Sequence, residues 1–140
     1  MSAPGPEVIN AATLIDGEVV NAQGEALGKL EAIMLDVGSG RIAYAVLSFG
    51  GLLGIGSKLF AIPWSALTLD AREKRLVLDV SREKLERAEG FDKDSWPAMA
   101  DGAWAARLHA YYEVPPYWDD ALRGKSDAHT IRSFHDRPVE

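Results

Sequence analysis

Two apolar runs joined by a glycine-bearing turn constrain this chain more than any other feature. Leu27 to Val37 and Arg41 to Phe49 are each of strand length, and Gly38-Ser39-Gly40 between them closes a hairpin. In the second run Ile42, Tyr44 and Val46 alternate with Ala43, Ala45, Leu47 and Phe49, so both faces are apolar. Such a strand needs cover on both sides and is expected at the centre of a sheet. The first run changes character along its length. Ile33, Leu35 and Val37 share a face with Lys29 and Glu31, whereas Leu30, Ala32 and Met34 take the other. A shift of apolar parity within one strand predicts a bulge or strong coil, placed here around Gly28.

The remaining strands are shorter. Thr13 to Val20 reads as a strand, and Asn21-Ala22-Gln23-Gly24 supplies a turn in which Gly24 can take positive φ. Leu59-Phe60-Ala61-Ile62 is stopped by Pro63, which has no ladder donor. Trp64-Ser65-Ala66-Leu67 forms a tight turn under the sheet, with Trp64 expected in the core. Asp70-Ala71-Arg72-Glu73-Lys74 is a polar hairpin connection, and Leu76 to Val80 is the last strand. Short strands at this spacing predict a mainly β fold, a small antiparallel β-barrel, followed by short C-terminal helices.

For the first helix, Ser81 is the N-cap of Arg82 to Ala88, and Gly90 is the stop. Asp101 caps a second helix with Trp104, Leu108 and Tyr111 on one face, and Pro115-Pro116-Tyr117-Trp118 ends it in extended conformation. The expected organisation is a flexible N-terminus over 1–12, a barrel domain over 13–97, an aromatic helical extension over 98–118 that packs on the barrel or a partner, and a mobile tail over 119–140.

A chain of 140 residues suits one domain with one core. The net charge of −6 argues against nucleic acid and against anionic membrane surfaces, both of which need clustered Lys and Arg. There is no cysteine, so disulfides and thiolate metal sites are excluded. The most apolar window, Ala43 to Gly56, is interrupted by glycines and too short to span a bilayer, and Met1 to Glu7 lacks a secretory pattern. A cytoplasmic location without an integral membrane segment is the expectation.

Catalytic chemistry finds little support. Gly50-Gly51-Leu52-Leu53-Gly54-Ile55-Gly56-Ser57-Lys58 resembles a phosphate loop only superficially: Ser57 precedes Lys58, and a strand rather than a helix follows. Its Leu52, Leu53 and Ile55 are instead candidate contact residues on a loop tip. His109, His129 and His135 lack a ligand-spaced partner, so no metal is expected. No serine occupies a nucleophile elbow. Glu83, Glu86 and Glu89 with Arg82, Lys84 and Arg87 read as a solvated helix face. The aromatics Phe91, Trp96, Trp104, Tyr111, Tyr112, Tyr117 and Trp118 lack interleaved basic residues, so they are expected to anchor the C-terminal segment or to join a subunit interface. The candidate interaction surface is Leu52, Leu53, Ile55, Trp104, Tyr111, Tyr112, Tyr117 and Trp118, with no catalytic, cofactor or metal residues.

Four stretches carry a family resemblance: Val20 to Leu30, Gly38 to Ser48, Lys58-Leu59-Phe60-Ala61-Ile62-Pro63-Trp64-Ser65, and Gly90-Phe91-Asp92-Lys93-Asp94-Ser95-Trp96-Pro97. With them the chain resembles the PRC-barrel family, named for the cytoplasmic domain of the photosynthetic reaction centre H subunit. The resemblance spans about Thr13 to Pro97 and implies a small β-barrel used as an assembly or adaptor module. It transfers no catalytic residue. The H subunit's membrane anchor and the RNA-associated domain that accompanies a related barrel in a ribosome-maturation factor have no counterpart in the expected organisation. The expected function is a non-enzymatic interaction module, self-associating and most simply a dimer. The alternatives are a small-ligand-binding module with a pocket between barrel and aromatic segment, or a peripheral factor of a membrane electron-transfer complex.

Overall fold

The computed structural model describes residues 5–50 and 57–119. Six strands form one curled half-barrel sheet: β1 (Glu18–Val20), β2 (Ala26–Leu35), β3 (Ile42–Gly50), β4 (Ser57–Pro63), β5 (Leu67–Asp70) and β6 (Arg75–Leu78). Their order is β4-β3-β2-β1-β6-β5. Two helices follow, α1 (Arg82–Glu86) and α2 (Gly102–Tyr111).

The doubly apolar strand β3 lies between β2 and β4, and Ala43, Tyr44, Ala45, Val46 and Leu47 are all buried. Its alternation therefore reports cover on both faces, as expected. The β2–β3 ladder slips between Leu30 and Ala32 and again between Met34 and Leu35, and the β1–β2 ladder slips opposite Gly28. These bulges are the parity change seen along the sequence, and they coil β2 so that it serves two neighbours. Gly28 is the tightest point. Its φ is +153°, and a Cβ there would lie 2.2 Å from the Ser48 carbonyl oxygen. Asn21 is 2% exposed and locks the turn before β2: its Oδ1 accepts from the Gln23 and Glu25 N–H groups, and its Nδ2 donates to Glu25.

The core joins the inner sheet face to the helices. Leu27, Leu30, Leu47, Phe60, Ile62, Leu76 and Leu78 from the sheet pack with Leu85 of α1 and Trp104, Ala105 and Leu108 of α2. Each fully buried side chain of this size contributes about 1.5–3 kcal/mol of transfer free energy. α1 and α2 begin at the expected caps: Ser81 accepts from the Lys84 N–H, and Asp101 from the Ala103 N–H. The free edge of β4 is partly closed by Phe91, whose N–H and C=O both pair with Leu59. Gly90 permits that approach, because a Cβ there would meet the Leu59 carbonyl at 2.8 Å and the Phe60 ring at 2.9 Å.

Several expectations need correction. The strand expected from Thr13 holds only for Glu18–Val20. Ala11–Leu14 is a 3-10 turn, because the Asn10 side chain accepts from Ala12 N–H and Asp16 turns the chain at φ 67°. The sheet is antiparallel except where β1 meets β6, which run parallel with Val19 opposite Leu76. Trp64 heads a 3-10 turn as expected but is only partly buried, packed against the core margin rather than inside it. Tyr117–Asp119 is a 3-10 turn and not extended chain, since both ends of Tyr117 are bound to the β2–β3 hairpin.

Candidate interaction site

The β2–β3 turn organises the site. Asp36 N–H donates to the Arg41 carbonyl, Gly40 N–H donates to the Asp36 carbonyl, and Asp36 Oδ1 accepts from the Gly38 and Ser39 N–H groups at 3.0 and 3.2 Å. Gly40 sits at φ +79°, a conformation this turn requires. The remaining carboxylate oxygen, Oδ2, accepts from the Tyr117 hydroxyl at 2.5 Å. Just before β3, Arg41 Nη1 donates to the Tyr117 carbonyl at 2.6 Å, and its guanidinium lies 5.4 Å from the Tyr117 ring centroid. The segment after α2 is thus strapped across the hairpin.

Aromatic rings fill the space beneath the strap. Tyr44 of β3 meets Trp104, His109 and Tyr117 edge-on, at centroid separations of 5.4, 5.8 and 6.4 Å. Trp118 stands edge-on to His109 at 5.3 Å. His109 is 1% exposed, and its Nδ1 lies 2.7 Å from the Ala105 carbonyl. A carbonyl only accepts, so Nδ1 carries the proton and the His109 side chain is a buried strut of α2.

The strap, the hairpin and the turn before α2 enclose a cleft of about 280 Å³. Met34, Ala43, Tyr44 and Met99 give it apolar walls, and Asp36 and Tyr117 supply its polar groups. Leu35 and Val37 form the rim, 61% and 96% exposed. The Tyr117 hydrogen bond, aided by the turn N–H groups and Arg41, outweighs burial and holds the Asp36 carboxyl below its ordinary value. Burial first, and then the nearby Asp36 charge, push the Tyr44 phenol up to about 12. Burial and the Asp36 contact raise Tyr117 as well. Near neutral pH the cleft therefore presents one carboxylate and two protonated phenols.

Of the residues singled out from sequence, Trp104, Tyr117 and Trp118 come together around Tyr44 and His109. Trp104 is 7% exposed and belongs to the core, whereas Trp118 is 45% exposed. Tyr111 and Tyr112 form a separate pair, 5.1 Å between centroids. Tyr111 donates its hydroxyl to the Lys84 carbonyl of α1, and Tyr112 is buried. Leu52, Leu53 and Ile55 lie outside the described residues. Sequence reasoning missed Asp36, Arg41, Met34, Met99 and the buried role of His109. The Asp-x-Gly spacing marks Asp36 as a turn former, but nothing local signals a partner 81 residues away.

A family model for the PRC-barrel domain matches residues 6–85, more than half of the chain, from ahead of β1 into α1. The chain belongs to the PRC-barrel family. A search of curated proteins finds no match. In this PRC-barrel protein the cleft has two origins: Met34 to Tyr44 come from the matched region, whereas Met99, Ala100 and Tyr117 follow it. Among the described residues no helix is long and apolar enough to cross a membrane.

Proposed function

We propose that this PRC-barrel protein is a non-enzymatic, cytoplasmic interaction and assembly module that associates with a second copy of itself. The observation that carries the proposal is the β2–β3 tip, where Leu35 and Val37 expose 61% and 96% of their surface beside an apolar cleft, with Trp118 also exposed. Exposed apolar side chains grouped beside an apolar cleft are a mark of a contact surface, and soluble homo-oligomers most often close such contacts with two-fold symmetry. Leu52, Leu53 and Ile55 are proposed as a further part of the contact. Light scattering over a concentration series should give a mass above that of one chain. Leu35→Ser with Val37→Ser should weaken association about tenfold while leaving thermal stability unchanged. A single-chain mass at every concentration would remove self-association from the proposal.

One observation favours a second function. The cleft lies between the barrel and the aromatic segment, is mostly apolar and carries a few convergent polar groups, which is the composition of a small-ligand site.

A further inference from the structure

The chemistry of the cleft narrows what it could hold. Its walls offer Met34, Met99 and Ala43, together with the rings of Tyr44 and Tyr117. Thioether and phenol surfaces suit an apolar body, and ring faces also attract a cation. Asp36 is the one residue among those lining the cleft that carries a formal charge. Of its carboxylate positions, Oδ1 accepts twice and Oδ2 once among the described residues, so Oδ2 retains a free acceptor position. The Arg41 guanidinium is held against the Tyr117 ring and carbonyl and does not line the cleft.

We propose that the cleft binds a small amphiphilic amine, its apolar body against Met34, Ala43 and Met99 and its ammonium on Asp36 Oδ2 beside the Tyr44 and Tyr117 rings. This rests on the ligand-site function just described and names the ligand class. An anion of the same shape would meet the Asp36 carboxylate, and a neutral analogue would forgo the charge-assisted hydrogen bond that an ammonium makes to Oδ2. A cleft of about 280 Å³ accommodates one ring or a short alkyl chain.

The test uses the full chain with methyl-labelled methionine. The protein has three methionines, of which Met34 and Met99 line the cleft and report binding directly. The probes are 2-phenylethylammonium, 2-phenylethanol and 3-phenylpropanoate. Saturable shifts at Met34 and Met99 with the ammonium, about three- to tenfold tighter than with the alcohol and absent with the carboxylate, are the expected result. Asp36→Asn should reduce the ammonium to the affinity of the alcohol. Tyr117→Phe keeps the carboxylate while removing its hydroxyl partner, so it should retain the preference for the cation even if Asp36→Asn loosens the hairpin. Equal binding of alcohol and ammonium would overturn the amine assignment and leave the ligand site standing. No shift at Met34 or Met99 with any probe would remove the ligand site itself, and the amine with it.

Discussion

Gly28 occupies a position where the backbone leaves no room for a side chain, with the Ser48 carbonyl oxygen 2.2 Å from where a Cβ would stand. Gly28→Ala should therefore lower the unfolding free energy by about 2–4 kcal/mol, since both the strained φ and the contact must be relieved by moving β2 away from β3. Urea unfolding followed by tryptophan fluorescence measures this, and a loss under about 0.5 kcal/mol would mean that the two strands separate freely. Asp36 gives a second expectation at this scale. Its folded-state pKa is lowered from 3.8, so its contribution is complete above that value and is lost as the pH falls through the folded value. Tyr117→Phe deletes the main cause of the lowering. The variant should be less stable than the parent by no more than about 1 kcal/mol near neutrality, because the pair is solvent-screened. The gap should narrow as the pH is taken below 3.8. A gap independent of pH would separate Tyr117 from the Asp36 charge.

Among the elements, β4 depends on a neighbour that is not a strand. Phe91 gives Leu59 two backbone hydrogen bonds, and Gly90 makes the approach possible. Gly90→Ala should push Phe91 off the edge, costing about 1–3 kcal/mol and exposing the Leu59 amide to hydrogen exchange, with little effect on amides in β6. Uniform loss of protection across the sheet would show that the edge is not a separate unit. Elements also show where the sequence was readable. Ser81 and Asp101 could be assigned as caps because a cap acts within three residues. The Gly28 bulge could be placed because alternation exposes a slip of register. By contrast, Thr13, Leu14 and Ile15 have strand composition, yet the turn they enter is set by one Asn10 side chain and the left-handed Asp16. The parallel pairing of β1 with β6 depends on segments far apart in the chain. The site was half legible for the same reason: Tyr117 and Trp118 stand out as aromatics, but the partners of Tyr117, Asp36 and Arg41, look like ordinary hairpin residues.

For the whole molecule, the tryptophans rank the parts of the core. Trp104 is 7% exposed and joins α2 to the sheet through Tyr44, whereas Trp64 is only partly buried. Trp104→Ala should cost about 3–5 kcal/mol and Trp64→Ala clearly less, both read from denaturant midpoints with unchanged slopes. Equal losses would contradict the placement of Trp64 at the core margin. The topology carries a further consequence. β2, β3 and β4 pair with neighbours in sequence, as do β5 and β6, and three residues of β1 join the two groups. Pairing Val19 with Leu76 closes most of the barrel chain into one loop, the step with the largest entropic penalty. On a newly made chain β1 to β4 can pair through local turns, as can β5 and β6, so the edge of β1 meets β6 last. Until that ladder closes, the β5–β6 hairpin of a neighbouring chain fits the same edge of β1, so the order of folding itself offers this protein a route to exchange strands.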